Sequence, residues 1–204
     1  MATDAVVHLI DDDEGVRQAV AFLLTTSGFA VRVYESAIAF LDALPSVQPG
    51  CIVTDVRMPG MDGLALQREL KTRGVTQPVI VITGHADVPL AVEAMKAGAV
   101  DFIEKPFNDD SLLSAIRVAI DRHGRDTRHT NEIAAIKAKL ASLSPREREV
   151  LDGLVAGLPN KTIAYDLKIS ARTVEVHRAN LMTRMGARSV ADLVRMVFVV
   201  RSPV

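Results

Sequence analysis

The sequence predicts an α/β protein in two parts. A doubly wound, five-stranded parallel sheet spans residues 1–124, and a small all-α domain of four helices spans 142–204, with 125–141 joining them. Three observations carry this prediction. Five short Val- and Ile-rich runs alternate with five amphipathic stretches in the first part, and the second part has helical periodicity with no strand signal. The charge also changes sign: residues 1–124 hold 10 Lys and Arg against 17 Asp and Glu, whereas 125–204 hold 14 against 8, so a net charge of −1 hides an acidic half and a basic half. A basic domain is a candidate for a polyanionic partner.

The strand runs are VVHLID (6–11), AVRVY (30–34), CIVTD (51–55), PVIVIT (78–83) and VDFIEK (100–105), bounded by Gly, Pro and Asp. Their short apolar character reads as buried parallel strands. Helical segments lie between and after them, at 14–27, 36–44, 63–73, 87–97 and 109–122. In the first, Val16, Ala19, Val20, Leu23 and Leu24 follow the i, i+3, i+4, i+7, i+8 stripe of an amphipathic helix. Asp13 and Glu14 stand at its start, where acids favour the positive end of the helix dipole. Strands alternating with helices imply right-handed crossovers and a parallel sheet covered on both faces.

From about 122 to 141 the chain turns polar and rich in Ala and Lys, and the spacing of Ile133, Ile136 and Leu140 predicts at least partial helix. Ser144-Pro145-Arg146-Glu147 supplies an N-cap, a proline at the first helical position and a glutamate three after the cap, so a helix starts there and runs to about Ala156. Further helices follow at about 160–167, about 171–185 and after Ser189. A two-turn helix, the tight turn Lys168-Ile169-Ser170 and a longer polar helix have the layout of a helix-turn-helix, whose second member enters the major groove of DNA. Arg172, Thr173, Glu175, Arg178 and Arg184 suit base edges and phosphates there. Val176 and His177 complete that candidate interface, although His177 also falls on the apolar stripe with Val174, Leu181 and Met185. Lys161 and Thr162 add contacts to the DNA backbone. A generic helical bundle with a solvated basic face is the bland alternative, disfavoured because charge, turn and helix length agree.

With 204 residues, 49% of them hydrophobic, the chain has enough apolar material to build cores. No stretch approaches the roughly 18 uninterrupted apolar residues of a membrane span, and MATDAVVHLIDDDE lacks the basic start of a signal peptide, so no membrane partner and a cytoplasmic location are expected. Cys51, the single cysteine, opens a strand and reads as a buried thiol. The chemistry lies in acids that follow strands. Asp11, Asp12 and Asp55 each stand at the carboxyl end of an apolar run, where open α/β sheets place their sites. Carboxylates gathered at close range resist ionising together, so such a cluster suits a hard divalent cation with oxygen ligands, read here as Mg²⁺.

The Asp pair in VVHLIDDDE, the Asp before MPGMDG, the Thr ending PVIVIT and the Lys-Pro after VDFIE together resemble the bacterial response-regulator receiver, a flavodoxin-like fold, over about 1–124. SPREREVLDGLVAGLPNKTIAYDLKISARTVEVHRANLMTRM is similar to the LuxR-type helix-turn-helix, and the pairing is that of the NarL/FixJ class. The resemblance implies that Asp55 accepts a phosphoryl group from a histidine kinase, that Asp11, Asp12 and Asp55 hold Mg²⁺ with the Arg57 backbone carbonyl, and that Lys105 pairs with the phosphoryl oxygens. It implies a cis bond before Pro106. It further implies a switch in which the Thr83 hydroxyl meets the phosphoryl group and Phe102 turns inward. Many relatives carry Tyr at the Phe102 position, so only the packing part of that switch carries over. Output would be phosphorylation-driven homodimerisation, through the surface of 87–97 and 100–105, and binding of double-stranded promoter DNA to activate transcription with RNA polymerase. Stretches such as ITGHADVPLAVEAMKAGAVDFIEKPF point within the class to a FixL-type oxygen-sensing kinase and nitrogen-fixation genes.

Two rival readings come from other classes. A haloacid-dehalogenase-type phosphatase also uses an Asp nucleophile with Mg²⁺, but places a second Asp two residues later, where this chain has Arg57. An unphosphorylated interaction module would not need Asp11, Asp12, Asp55, Thr83 and Lys105 together. His85 is expected in a loop role.

Overall fold

The computed structural model describes residues 5–84 and 88–201, so His85 and the loop expected around it lie outside the described residues. The chain divides into two units, Met1–Arg125 and Asp126–Val204, close to the break in charge and pattern.

In the first unit the order is β1 (Val6–Ile10), α1 (Glu14–Thr26), β2 (Ala30–Tyr34), α2 (Ala37–Ala43), β3 (Gly50–Asp55), α3 (Gly63–Thr72), β4 (Val79–Thr83), α4 (Val88–Ala97), β5 (Asp101–Glu104) and the start of α5 (Asp109–Ala141). A 3-10 turn at Leu44–Ser46, with Pro45 in its first turn, is an addition that apolar periodicity does not reveal. All strands are parallel, in the order β2-β1-β3-β4-β5. Alternation along each strand splits the core in two. Val7, Leu9, Cys51, Val53, Ile80 and Ile82 pack with Leu24 and Ile116, while Ile10, Ile52 and Val81 pack with Phe40, Leu66 and Leu70. Cys51 is buried as expected, and burial pushes its thiol up to about 12.

The whole of 125–141 is helical as the continuation of α5, which goes beyond the partial helix that the spacing predicts. In the second unit, α6 (Pro145–Val155), α7 (Asn160–Leu167), α8 (Ala171–Met185) and α9 (Val190–Arg201) enclose Val150, Leu151, Leu154, Ile163, Val174, Leu181, Met185, Leu193 and Val197. Ile136 and Leu140 pack against that cluster, so the end of α5 belongs to this core. The capping box is formed: Ser144 Oγ accepts from the Glu147 N–H at 3.2 Å, and Glu147 Oε2 accepts from the Ser144 N–H at 2.9 Å. Ser189 Oγ accepts from the Asp192 N–H at 3.1 Å, capping α9 as the sequence predicts.

Two local constraints place the ends of β1 and β3. At Gly63, the first residue of α3, an added methyl would strike the Asp55 carbonyl oxygen, so only glycine lets α3 start against the end of β3. Deeper in the sheet, His8 is fully buried on β1. Its Nε2 is 2.9 Å from the Gln48 carbonyl oxygen and its Nδ1 is 3.4 Å from the Tyr34 hydroxyl, an arrangement that a neutral ring satisfies with one donor and one acceptor. Burial lowers the His8 pKa, against the opposing bond to Gln48, and the Arg32 charge lowers it further.

A histidine whose folded pKa lies below its unfolded value favours folding above the unfolded value, and loses that contribution as pH falls toward the folded one. The denaturation midpoint of the first unit should therefore fall as pH drops below about 6.5. In urea titrations, His8→Phe should flatten that segment of the pH profile; an unchanged slope would contradict the assignment.

Candidate functional site

The carboxyl ends of β1, β3, β4 and β5 meet at one crevice, beside the point where the strand order reverses between β1 and β3. Asp11 follows β1, Asp55 ends β3, Thr83 ends β4 and Lys105 follows β5. Lys105 Nζ donates to Asp11 Oδ2 at 2.6 Å and to Asp55 Oδ1 at 3.0 Å. Both acids are buried, at 1% and 6% exposure, so their charges cannot be left to water. The Arg57 N–H donates to Asp55 Oδ2 at 2.8 Å, the Asp13 N–H donates to Asp11 Oδ1 at 2.9 Å, and Arg17 donates to the Asp11 carbonyl oxygen at 2.7 Å. Asp13 also caps α1 through the Val16 N–H at 3.0 Å, in line with its expected place at the helix start.

Burial raises the Asp55 pKa above the ordinary carboxylate range; the bond and charge of Lys105 oppose this, the charge of Asp11 adds to it, and the Arg57 N–H again opposes it. For Lys105, burial alone would lower the pKa, but its bonds to Asp11 and Asp55 and their charges raise it overall, so the ammonium stays charged. Two carboxylates against one ammonium leave the crevice one negative charge in excess.

The structure brings together two of the three acids read as a metal cluster, not all three. Asp12 stands on the exposed rim, and among the described residues no group of three or more His, Cys, Asp or Glu side chains gathers as a metal site. The oxygen donors of Asp11 and Asp55 still suit a hard divalent cation in kind and in charge.

Thr83 is buried at 1% exposure, and its carbonyl oxygen accepts from the Lys105 N–H at 2.8 Å. Phe102 pairs with Val81 across β4 and β5 and is half-buried against the core. The Lys105-Pro106 bond is cis, as the resemblance implies. Sequence reasoning missed an open apolar groove next to this crevice, of about 570 Å³, lined by Val16, Ala19, Phe22 and Leu23 of α1 and by Pro106 and Phe107. Only Val20 and Leu24 of the α1 stripe are buried; Ala19 is exposed and Phe22 is 72% exposed. The signal was in the sequence, as Phe22 makes that apolar stripe too wide for one core face.

In the second unit α7 and α8 meet through Lys168, whose left-handed φ of 54° makes the turn, and Ser170 caps α8 by accepting from the Thr173 N–H at 3.0 Å. Val174, Leu181 and Met185 face the core, and Lys161, Thr162, Arg172, Glu175 and Val176 face outward. Thr173 is half-buried, its hydroxyl 2.8 Å from Ser170 Oγ. His177 and Arg178 are half-buried, and Arg178 stands 3.5 Å from Asn160 Oδ1. Arg184 lies at the far end of α8, with Nε 3.4 Å from Glu147 Oε1 and a guanidinium N–H donating to the Ser142 carbonyl oxygen at 3.2 Å.

A doubly wound unit with a lysine-bridged acidic pair at its switch point, on a chain that continues into a helix-turn-helix, defines a two-domain regulator of transcription. Residues 7–117 match the family described as "Response regulator receiver domain", and residues 141–197 match "Bacterial regulatory proteins, luxR family". The chain belongs to the response-regulator family, in its branch with a LuxR-type DNA-binding domain. It is 57% identical over 190 residues to the transcriptional regulatory protein FixJ of Azorhizobium caulinodans, covering 93% of this chain and 90% of that one. It is 56% identical to the FixJ protein of Rhizobium meliloti, covering 95% of each. Among solved structures it is similar to the response regulator StyR, with 39% identity, a TM-score of 0.87 and coverage of 96% and 98%. It is also similar to full-length FixJ from B. japonicum, with 50% identity, a TM-score of 0.63 and coverage of 97% and 98%. Membership implies a histidine kinase and DNA as partners, and receiver domains generally use Mg²⁺ for phosphorylation. No helix among the described residues is long and apolar enough to cross a membrane.

Lys105→Met leaves Asp11 and Asp55 facing each other without a counter-ion. It should destabilise the first unit by about 2–3 kcal/mol, less than a fully enclosed pair because Lys105 is 19% exposed. In an Asp55→Asn background the same substitution should cost much less. Urea unfolding of the four proteins checks this, and equal costs in both backgrounds would refute the coupling.

Proposed function

We infer that Asp55 is the phosphoacceptor of a switch that controls DNA binding; the observation that carries this reading is the lysine-bridged Asp55 at the carboxyl edge of the sheet. A carboxylate oxygen of Asp55 attacks the phosphorus of a phosphohistidine on the kinase, the new O–P bond forms as the P–N bond breaks, and the histidine ring leaves. Such a loose transfer needs mainly alignment and neutralisation of oxygen charge. Lys105 is already beside the acceptor oxygen and follows the phosphoryl oxygens. The Arg57 N–H orients the acceptor through its other oxygen. Asp11, Asp55 and the Arg57 carbonyl, with the exposed Asp12 turning in from the rim, would hold Mg²⁺, which would supply further neutralisation on those oxygens when bound. The apolar groove around Phe22 reaches the crevice at Lys105 and fits the kinase surface that must deliver the phosphoryl group there.

Phosphorylation adds charge and acceptor oxygens at the ends of β3 and β4. Thr83 donates its hydroxyl to the phosphoryl group and Phe102 packs inward behind it, biasing a two-state surface. That surface is α4 and β5, where Val88, Val92 and Met95 are 77%, 45% and 49% exposed and offer an apolar patch for a second copy of the chain. The homodimer then presents two copies of α8 to DNA half-sites, with Arg172, Thr173, Glu175, Val176, His177 and Arg178 toward the groove and Lys161 and Thr162 toward the backbone. The sequence suggests Arg184 for the same face, and its bonds to Glu147 and Ser142 suit it to holding the helix. The FixJ relatives support a FixL-type kinase responding to low oxygen, nitrogen-fixation genes and RNA polymerase as the recipient of the signal. Cytoplasmic residence and loss of the phosphoryl group by the protein's own action belong to the same reading.

The test uses the full chain with a small acyl phosphate and Mg²⁺, followed by sedimentation and by selection from a pool of random duplex DNA. The wild type should dimerise and enrich a two-half-site sequence. Asp55→Asn should do neither, and Val92→Glu should take up phosphate yet remain monomeric. Equal enrichment by the wild type and Asp55→Asn would overturn the switch.

A further inference from the structure

The last turn of α8 is held from one direction by one short segment, residues 139–147. Lys139, near the end of α5, donates from Nζ to the Met185 carbonyl oxygen at 2.9 Å, although the two residues lie 46 apart in sequence. Ser142, one residue beyond α5, accepts from the Arg184 guanidinium at 3.2 Å. Glu147 faces Arg184 Nε at 3.4 Å with Oε1 while its Oε2 caps α6. Glu147 is only 4% exposed, and its bonds from the Ser144 N–H and hydroxyl, then the charges of Arg184 and His177, hold its carboxyl below the ordinary range. The next residue, Gly186, ends α8 at a φ of 69°, and a methyl added there would stand 3.3 Å from Lys139 Nζ. The chain thus leaves α8 through a residue with no side chain to crowd the ammonium.

A helix that reads base edges must hold its tilt and rotation. The first turn of α8 is fixed by Ser170, and its apolar side by Val174, Leu181 and Met185. Those contacts leave the exposed side of its last turn to be fixed by polar groups. Orphan carbonyls and the negative dipole end at a helix C-terminus favour a cation. The only Lys or Arg in the last turn of α8 itself, Arg184, is turned to Glu147 and Ser142. Lys139 supplies the cation instead, from the linker helix.

Resting on the reading of α8 as the DNA-recognition helix, we propose that Lys139 is a positioning residue for DNA recognition: it fixes the C-terminal end of α8 through the Met185 carbonyl without touching DNA. Arg184 and Glu147 act with it as the other half of the clasp. The linker's last turn is then a working part of the DNA-binding unit, and the register of α5 sets where α8 stands.

The experiment compares full-length wild type, Lys139→Met and Lys139→Arg, all phosphorylated with a small acyl phosphate and Mg²⁺. Binding is measured to the duplex that the wild type selects and to an unrelated duplex of equal length, over a range of salt. Lys139→Met should lose about 3- to 10-fold in affinity for the selected duplex, the scale of one helix-terminus cation contact. It should lose little on the unrelated duplex, with the salt slope unchanged and phosphoryl uptake intact. Lys139→Arg, which keeps charge and donors, should recover most of the loss. Thermal unfolding in the absence of DNA should show both variants folded at the assay temperature.

Three results would overturn the proposal. The first is an affinity within twofold of wild type for Lys139→Met. The second is an equal loss on both duplexes with a salt slope reduced by about one, the mark of a direct phosphate contact. The third is a binding loss shared by Lys139→Arg or tracking unfolding of the second unit, the mark of a general structural role. Failure of the wild type to select any duplex would instead defeat the reading of α8 on which the proposal stands, and the two failures are thereby told apart.

Discussion

Two buried carboxylates held by a single ammonium form the constraint on which the first unit depends. Asp11 and Asp55 come from adjacent strands, β1 and β3, while Lys105 arrives from beyond β5 at the sheet's far edge. All three meet only if every strand runs parallel, in this order, with its carboxyl end at the same edge. The pairing of Thr83 with Glu104 sets β5 in register and brings the next residue, Lys105, to the crevice. Two anions and one cation remain unbalanced, so the site attracts positive charge. On the proposed reading, a phosphoryl group added to Asp55 changes a packed interior with discrete arrangements, and the change reaches the surface because such an interior does not deform continuously.

The second unit depends on caps and on a shared acid. Glu147 closes the first turn of α6 with one carboxylate oxygen and meets Arg184 of α8 with the other. The residue that starts one helix thereby restrains the end of another. Ser170 and the left-handed Lys168 set the turn between α7 and α8, so the exposed face of α8 carries Arg172, Glu175 and Val176 while its apolar stripe is buried. The opposite net charges of the two halves follow the same division: the acidic half carries the carboxylate crevice, and the basic half carries the helix-turn-helix that suits a polyanion.

Much of this architecture was legible because it is local. Strands AVRVY at 30–34 and helices 160–167 and 171–185 coincide with the sequence reading, since Gly, Pro, Ser and Asp punctuate them and periodicity fills them. The Ser144 to Glu147 capping box was equally plain, a pattern of four residues with one physical meaning. Elements that depend on distant partners were not legible. Asp12 reads like Asp11 in sequence, and only the fold shows that Asp11 is buried against Lys105 while Asp12 is exposed. Lys139 and Met185 show no pattern that would pair them, and Arg184 looks like any other base on a recognition helix until Glu147 is seen beside it. His8 sits within an apolar run, and its pairing with Gln48 and Tyr34 depends on a loop and a neighbouring strand. The full helical extent of 125–141 exceeded the reading because Ala-rich, charged sequence supports helix without an apolar stripe along its whole length.

Intact mass followed by peptide mapping, after the full chain is incubated with a small acyl phosphate and Mg²⁺, tests directly whether Asp55 is the acceptor. A single added phosphoryl group is expected, located on Asp55 and absent when Mg²⁺ is withheld from the incubation. No added mass on folded protein, or a phosphoryl group located on any residue other than Asp55, would contradict it.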